Sequence, residues 1–230
     1  QGQFPQWNPY IFAGTRLFAD IHLALFYPGS VLFRVLPFPY AVLITWIVHY
    51  AGTALATYAF ARVVLRISPP AAAFAGLAFS LGGFCLGHCN HLNFVFAYPW
   101  WPLLLLATHE MHRHRGRTTV WYWLLGLFCM CCLILSGGTP VLMLALLALG
   151  WLAAILLLRD LLHGDFFSAL RLATLLAVMG LCAICLTAFQ LLPTMDLYAC
   201  SARVDWNQQK RLERVLPWRT LLYQLFAPGT

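Results

Sequence analysis

What most limits the folds open to this chain is a succession of long apolar runs separated by short segments that carry arginine. Apolar sequence covers about Phe38–Phe60, Pro70–Gly87, Phe94–Met111, Thr119–Leu135, Val141–Leu158 and Ala169–Leu192. Each run approaches the roughly 20 residues that a helix needs to cross about 30 Å of hydrocarbon. Only 9% of the 230 residues are charged, against about 25% in soluble domains. The chain therefore lacks the polar groups to cover a globule, and its mean hydropathy of +0.77 agrees. The fold class expected is an all-α polytopic membrane protein with about six transmembrane helices and an N-terminal extracytoplasmic amphipathic segment. Residues 1–37 form a loop or interfacial segment, 38–193 the membrane domain, and 194–230 a further extracytoplasmic segment. Because the chain opens at Gln1 without a leader and stops just after FAPG, it reads as an internal fragment of a longer protein.

Two compositional signals resolve without a special function. The formal charge of +7 would suggest nucleic acid in a soluble domain, but half of the basic residues lie between apolar spans, where they set orientation; no nucleic-acid partner is expected. Of the eight cysteines, most fall inside the spans, where Cys behaves as a small apolar residue. Cys89 and Cys200 alone fall outside, so no disulfide framework is indicated.

Loop charge sets the topology. The loops at 62–69, 112–118 and 159–171 carry Arg62, Arg66, Arg113, Arg115, Arg117, Arg159 and Arg171, whereas those at 88–93 and 136–140 carry neither Lys nor Arg. The positive-inside rule puts the first set in the cytoplasm. That topology gathers Asp20, His22, the cluster His88–Asn93, Ser136–Pro140 and Asp196 at the outer boundary, where any chemistry is expected. Before the first span, Thr15–Phe26 has Leu17, Ile21 and Leu25 on one helical face, which predicts a short amphipathic helix lying in the interface.

The stretch GGFCLGHCNHLNFVFAYPWWP stands out because polar residues interrupt apolar sequence on both sides. His88, Asn90, His91 and Asn93 fit sugar or phosphate recognition, or a loop that satisfies helix ends. A metal site using His88, Cys89 and His91 is a third reading, although no second ligand cluster accompanies it and a divalent metal has no further support. His49 breaks the apolar pattern in mid-span; such residues are functional candidates by default, and a neutral His bonded to a neighbouring helix is the commoner case. Trp100, Trp101, Trp121 and Trp123 fit an interfacial belt, and Gly83–Gly87 has the spacing of close helix contact.

Three segments together, FPQWNPYIFAGTRLFAD, LAFSLGGFCLGHCNHLNFVFAYPWWPLLLLA and FQLLPTMDLYACSAR, resemble the YfhO family of bacterial membrane proteins in content, order and spacing. The turn SGGTP stands where that family often has a Gly-His-Pro-Gln turn; Thr139 replaces the His, so no role transfers to it. The resemblance implies a GT-C type glycosyltransferase fold in the bacterial cytoplasmic membrane, active on its outer face. A polyprenyl-phosphate-linked sugar would be the donor, and a cell-envelope glycopolymer such as teichoic acid the acceptor. It also implies a principal catalytic carboxylate in a loop that would precede Gln1. Glycosyl transfer needs a base for the acceptor hydroxyl and stabilisation of the departing phosphate. Asp20 and Asp196 are the outer-face acids for the first task. Arg16 and Arg203 are candidates for holding phosphate, joined as substrate-binding residues by His22, His88, Asn90, His91 and Asn93. For Asp20 and Asp196 a helix cap competes with catalysis, and for the arginines snorkelling to headgroups competes with binding. The alternative function is a transporter, flippase-like protein or scaffold for lipid-linked saccharides, which would call for charged or broken helices near mid-membrane.

Overall fold

The computed structural model describes residues 7–9 and 14–200. A two-residue antiparallel pair, β1 (Trp7–Asn8) and β2 (Thr15–Arg16), precedes short 3-10 turns at Ile21–Leu23 and Pro28–Val31. The helices are α1 (Leu32–Val35), α2 (Phe38–Val63), α3 (Pro69–Ser80), α4 (Gly83–Gly87), α5 (Leu92–Ala97), α6 (Trp100–Arg113), α7 (Arg117–Leu135), α8 (Thr139–Leu162) and α9 (Phe166–Ala199).

Among the described residues, five helical segments are long and apolar enough to cross a bilayer: α2, α3 continued by α4, α7, α8 and α9. Only 17% to 44% of the most apolar stretch of each is buried within the protein, and the remaining apolar surface has lipid as its natural partner. The protein is an all-α polytopic membrane protein. On α2 the buried stripe is Ala41, Thr45, His49, Thr53 and Ala56, while Leu43, Ile47, Val48 and Leu55 face outward. Small and polar residues inside with large apolar ones outside is the arrangement that membrane helices use, since lipid solvates Leu as well as protein does.

The span expected over Phe94–Met111 is built differently. Pro99 has no N–H to offer the preceding turn, and the run divides into α5 and the 14-residue α6, about 21 Å long. The last helix is longer than expected: Asp165 caps its start by accepting the Ser168 N–H, and it continues through Pro193 to Ala199. The amphipathic helix expected over Thr15–Phe26 is replaced by β2, a three-residue 3-10 turn and a left-handed Ala24. The reason is that the Phe18 and Ala19 carbonyls bond to Gln190 and Thr194 of α9 rather than to amides one turn on.

The centre of the bundle is Leu104 of α6, Leu133 of α7, Val141 and Ala145 of α8, and Met179 and Ala183 of α9. Close approach of α2 and α3 occurs at Gly76, where a Cβ would lie 2.4 Å from the Ala54 carbonyl oxygen; Gly83 and Gly87, by contrast, face open space. The α4 hairpin is held from α2 by donors to its backbone: Tyr50 Oη–H to the Cys85 carbonyl (2.8 Å) and Trp46 Nε1–H to that of Cys89 (3.2 Å). All eight cysteines are free thiols. The interfacial belt is divided: Trp121 is exposed, whereas Trp123 donates to the Leu175 carbonyl of α9 and Trp100 to Tyr27.

Candidate functional site: two clefts that share His22

The SGGTP turn between α7 and α8 organises the arginine-poor end. Ser136 Oγ donates to the Leu133 carbonyl at 2.7 Å and accepts the Gly138 N–H at 3.3 Å. Gly137 has φ +69°, and a Cβ there would lie 2.0 Å from the Ile21 carbonyl oxygen. At Gly138 a Cβ would lie 2.7 Å from the Asn93 carbonyl oxygen. Two adjacent glycines thus let the turn wedge between residues 21–22 and Asn93. The Gly137 carbonyl accepts from His22 Nδ1 at 2.9 Å and from Asn93 Nδ2 at 3.2 Å. Because a carbonyl only accepts, Nδ1 of His22 carries the proton, and in the neutral ring Nε2 keeps a lone pair.

Asp20 caps the 3-10 turn by accepting the His22 N–H at 3.0 Å. The segment before it is pinned by the QLLPT stretch of α9. Gln190, buried, donates from Nε2 to the Phe18 carbonyl at 3.1 Å. The Thr194 hydroxyl lies 2.8 Å from the Ala19 carbonyl and 2.7 Å from that of Gln190, sharing one proton between them.

Two open clefts meet at His22. The first, about 360 Å³, is lined on its polar side by His22, Ser30, Arg34 and Asn93, and on its apolar side by Phe33, Phe38 and Phe96 among others. The second, about 260 Å³, is lined by Asp20, His22, Thr194 and Tyr198 among others. Arg34 Nη2 donates to the Leu25 carbonyl at 2.9 Å and Ser30 Oγ to that of Ala24 at 2.5 Å, which positions both along the first cleft. Behind Phe96 runs a hydrogen-bonded chain: Trp100 Nε1 donates to Tyr27 Oη (2.9 Å), Tyr27 to His49 Nε2 (2.8 Å), and His49 Nδ1 to the Thr45 carbonyl (2.8 Å). Tyr27 stacks on Phe96 with centroids 4.4 Å apart. Burial pushes the Tyr27 phenol well above its ordinary range, so it stays a neutral donor.

Of the residues singled out in the sequence, the clefts bring together Asp20, His22 and Asn93. His88, Asn90 and His91 lie outside both. His88 Nδ1 donates to the Phe84 carbonyl at 2.8 Å and its ring stacks on Phe94; His91 also packs on Phe94. These two imidazoles therefore close the α4 hairpin. Asp196 is exposed on α9 and Arg16 on β2, and neither lines a cleft; Arg203 lies outside the described residues. Among the described residues no three His, Cys, Asp or Glu side chains converge as a metal set. Sequence reasoning missed Arg34 and Ser30. The available signal was an arginine four residues before the first span, at the end where arginine is otherwise scarce.

The arginine-rich end holds a second polar assembly that the sequence reading took for topology signal alone. Glu110, 3% exposed, meets His109 Nδ1 at 2.9 Å through one oxygen and His114 Nε2 at 3.1 Å through the other. His112 Nε2 of α6 lies 3.4 Å from Asp160 Oδ1 of α8. Arg171 of α9 donates to the carbonyls of Met111 (2.9 Å) and His114 (2.6 Å) and to Thr119 Oγ (3.1 Å), and Arg115 donates to Ser168 Oγ.

Comparison with protein-family models, with curated proteins and with solved structures found no match to this chain.

Proposed function

We propose that the protein is a GT-C-like integral membrane glycosyltransferase of the bacterial cytoplasmic membrane. On this reading it transfers a sugar from a polyprenyl-phosphate carrier to a cell-envelope acceptor at the arginine-poor, extracytoplasmic face. The observation that carries the reading is that one residue, His22, borders both a cleft containing Arg34 and a cleft containing Asp20. Glycosyl transfer asks for that division. The Arg34 guanidinium suits a phosphate oxygen through charge-assisted hydrogen bonds, while Phe33, Phe38 and Phe96 offer the carrier apolar contact. The Asp20 carboxylate suits the acceptor side. As the acceptor oxygen bonds to the anomeric carbon, the bond from that carbon to phosphate oxygen breaks. The polyprenyl phosphate leaves with the electron pair, and the hydroxyl proton passes to Asp20. Asn93 and the proton-bearing Nδ1 of His22 share the Gly137 carbonyl, which fixes Asn93 on the donor side and His22 at the junction of the two clefts.

A second reading, a flippase-like carrier for lipid-linked saccharides, draws on the interrupted helices α3–α4 and α5–α6, a feature of transporters. His49 gives it no help, since both ring nitrogens are engaged. Proteoliposomes loaded with a polyprenyl-phosphate sugar carrying a labelled glycosyl group separate the two. Transfer to an added acceptor, slowed by Asp20→Asn with donor binding retained, supports the enzyme. Arg34→Ala is expected to weaken donor binding by roughly tenfold or more, the worth of a charge-assisted hydrogen bond. Movement of label between leaflets without transfer would instead establish the carrier.

A further inference from the structure

The arginine-rich end is more basic at its surface than a count along the chain implies. In the sequence seven arginines, Arg62, Arg66, Arg113, Arg115, Arg117, Arg159 and Arg171, face three acids, Glu110, Asp160 and Asp165. Folding removes two of the three acids from the surface. Glu110 and Asp160 are 3% and 8% exposed, and both face imidazoles: Glu110 those of His109 and His114, Asp160 that of His112. Arg113, Arg115, Arg117 and Arg159 remain exposed. Arg113 makes only a 3.8 Å approach to Glu110, and Arg115 keeps a single bond to Ser168. Asp165 is the exposed acid of this group, and it is occupied as the cap of α9, accepting from Ser168.

The level of these arginines relative to the bilayer follows from their helices. Arg117 is the first residue of α7, and Trp121, one turn further into that span, is exposed. Arg117 and Trp121 share a helical face, and an outward Trp marks the membrane interface. Arg159 stands in the last turn of α8, and the exposed Phe166 and Phe167 open α9 across the turn from it. Guanidinium groups and aromatic rings thus stand together at the arginine-rich ends of α7, α8 and α9, a collar of interfacial residues.

We infer that this collar is a binding surface for the headgroups of anionic phospholipids in the adjoining leaflet, its basic character sharpened by burial of Glu110 and Asp160 against histidines. A basic residue near an anionic membrane surface is worth about 1 kcal/mol, roughly fivefold in occupancy. The inference does not depend on what the His22 clefts do.

Native mass spectrometry of the protein released from nanodiscs of equal phosphatidylglycerol and phosphatidylcholine tests it. The wild type is expected to retain phosphatidylglycerol in clear excess. Replacing Arg113, Arg115, Arg117 and Arg159 together by Gln should remove that excess, about fivefold per residue, and replacing all four by Lys should keep most of it because the charge remains. Since Arg115 also braces α9, the triple variant Arg113→Gln/Arg117→Gln/Arg159→Gln supplies the same reading with that bond intact. Equal retention of the two lipids by wild type, or an undiminished excess in the triple Gln variant, would overturn the inference.

Discussion

At the arginine-poor end, side chains reach backbone carbonyls far away in sequence: His22 and Asn93 to Gly137, and Gln190 to Phe18. At the arginine-rich end Arg171 likewise reaches the carbonyls of Met111 and His114, but the carboxylates of Glu110 and Asp160 are buried against imidazoles. The same residue types thus have different freedom. A histidine that donates to a carbonyl is oriented yet keeps its second nitrogen for a ligand, whereas one set against a buried carboxylate is committed to holding helices together. The first end is arranged to present groups to open clefts, and the second to hide its acids and display its arginines.

If that contrast is right, the largest stability loss should come from the arginine-poor end through backbone rather than side-chain chemistry. Gly137→Ala places a Cβ against the Ile21 carbonyl at a positive φ, and should cost more than about 4 kcal/mol, the range of exceptional single substitutions. Thermal unfolding in detergent would show it, and near-wild-type stability would break the claim that this turn holds the clefts in place. Next comes Glu110→Ala. It leaves the His109 and His114 ring nitrogens without their partner, a loss of about 1 to 3 kcal/mol, which should appear in unfolding while donor binding at the Arg34 cleft survives in protein that remains folded. Weakened binding in that folded fraction would mean the two ends are coupled. The smallest effect belongs to Asp165, whose carboxyl is held below its ordinary range first by the Ser168 hydroxyl and then by the Ser168 N–H. A depressed pKa adds stability above the unfolded value and loses it as pH falls through the folded value. Wild type should therefore exceed Asp165→Asn modestly and constantly near neutrality, with the difference fading below about pH 4. A difference that persists in acid would show that Asp165 stabilises α9 by shape rather than charge.

The membrane helices were legible because hydropathy over 20 residues is a local quantity, and the Arg-bearing loops were legible for the same reason. The break at Pro99 was hidden by equally apolar sequence on both sides, Phe94–Ala97 and Leu103–Leu106, which leaves a hydropathy window uninterrupted. Of His88, Asn90, His91 and Asn93, only Asn93 reaches a cleft, because α5 begins at Leu92 and turns the chain away from the other three. Asp20 and His22 were recognisable as polar residues before the first span, but their proximity to Asn93, Gly137 and Thr194 is tertiary and has no local signature. The QLLPT stretch was noticed, yet its work depends on two carbonyls about 170 residues earlier. Glu110 was overlooked because HEMHRHR satisfies the positive-inside pattern; the available clue was a lone acid among histidines at helical spacing.

The α4 hairpin is held by Trp46 and Tyr50 through the carbonyls of Cys89 and Cys85. Every amino acid carries a carbonyl, so those grips do not depend on which side chain occupies residues 85 and 89. In evolutionary terms the path of the hairpin and its lettering are decoupled. Substitutions along its exposed surface can drift, and could adapt to a different lipid neighbourhood, while Trp46 and Tyr50 on α2 preserve the route of the chain.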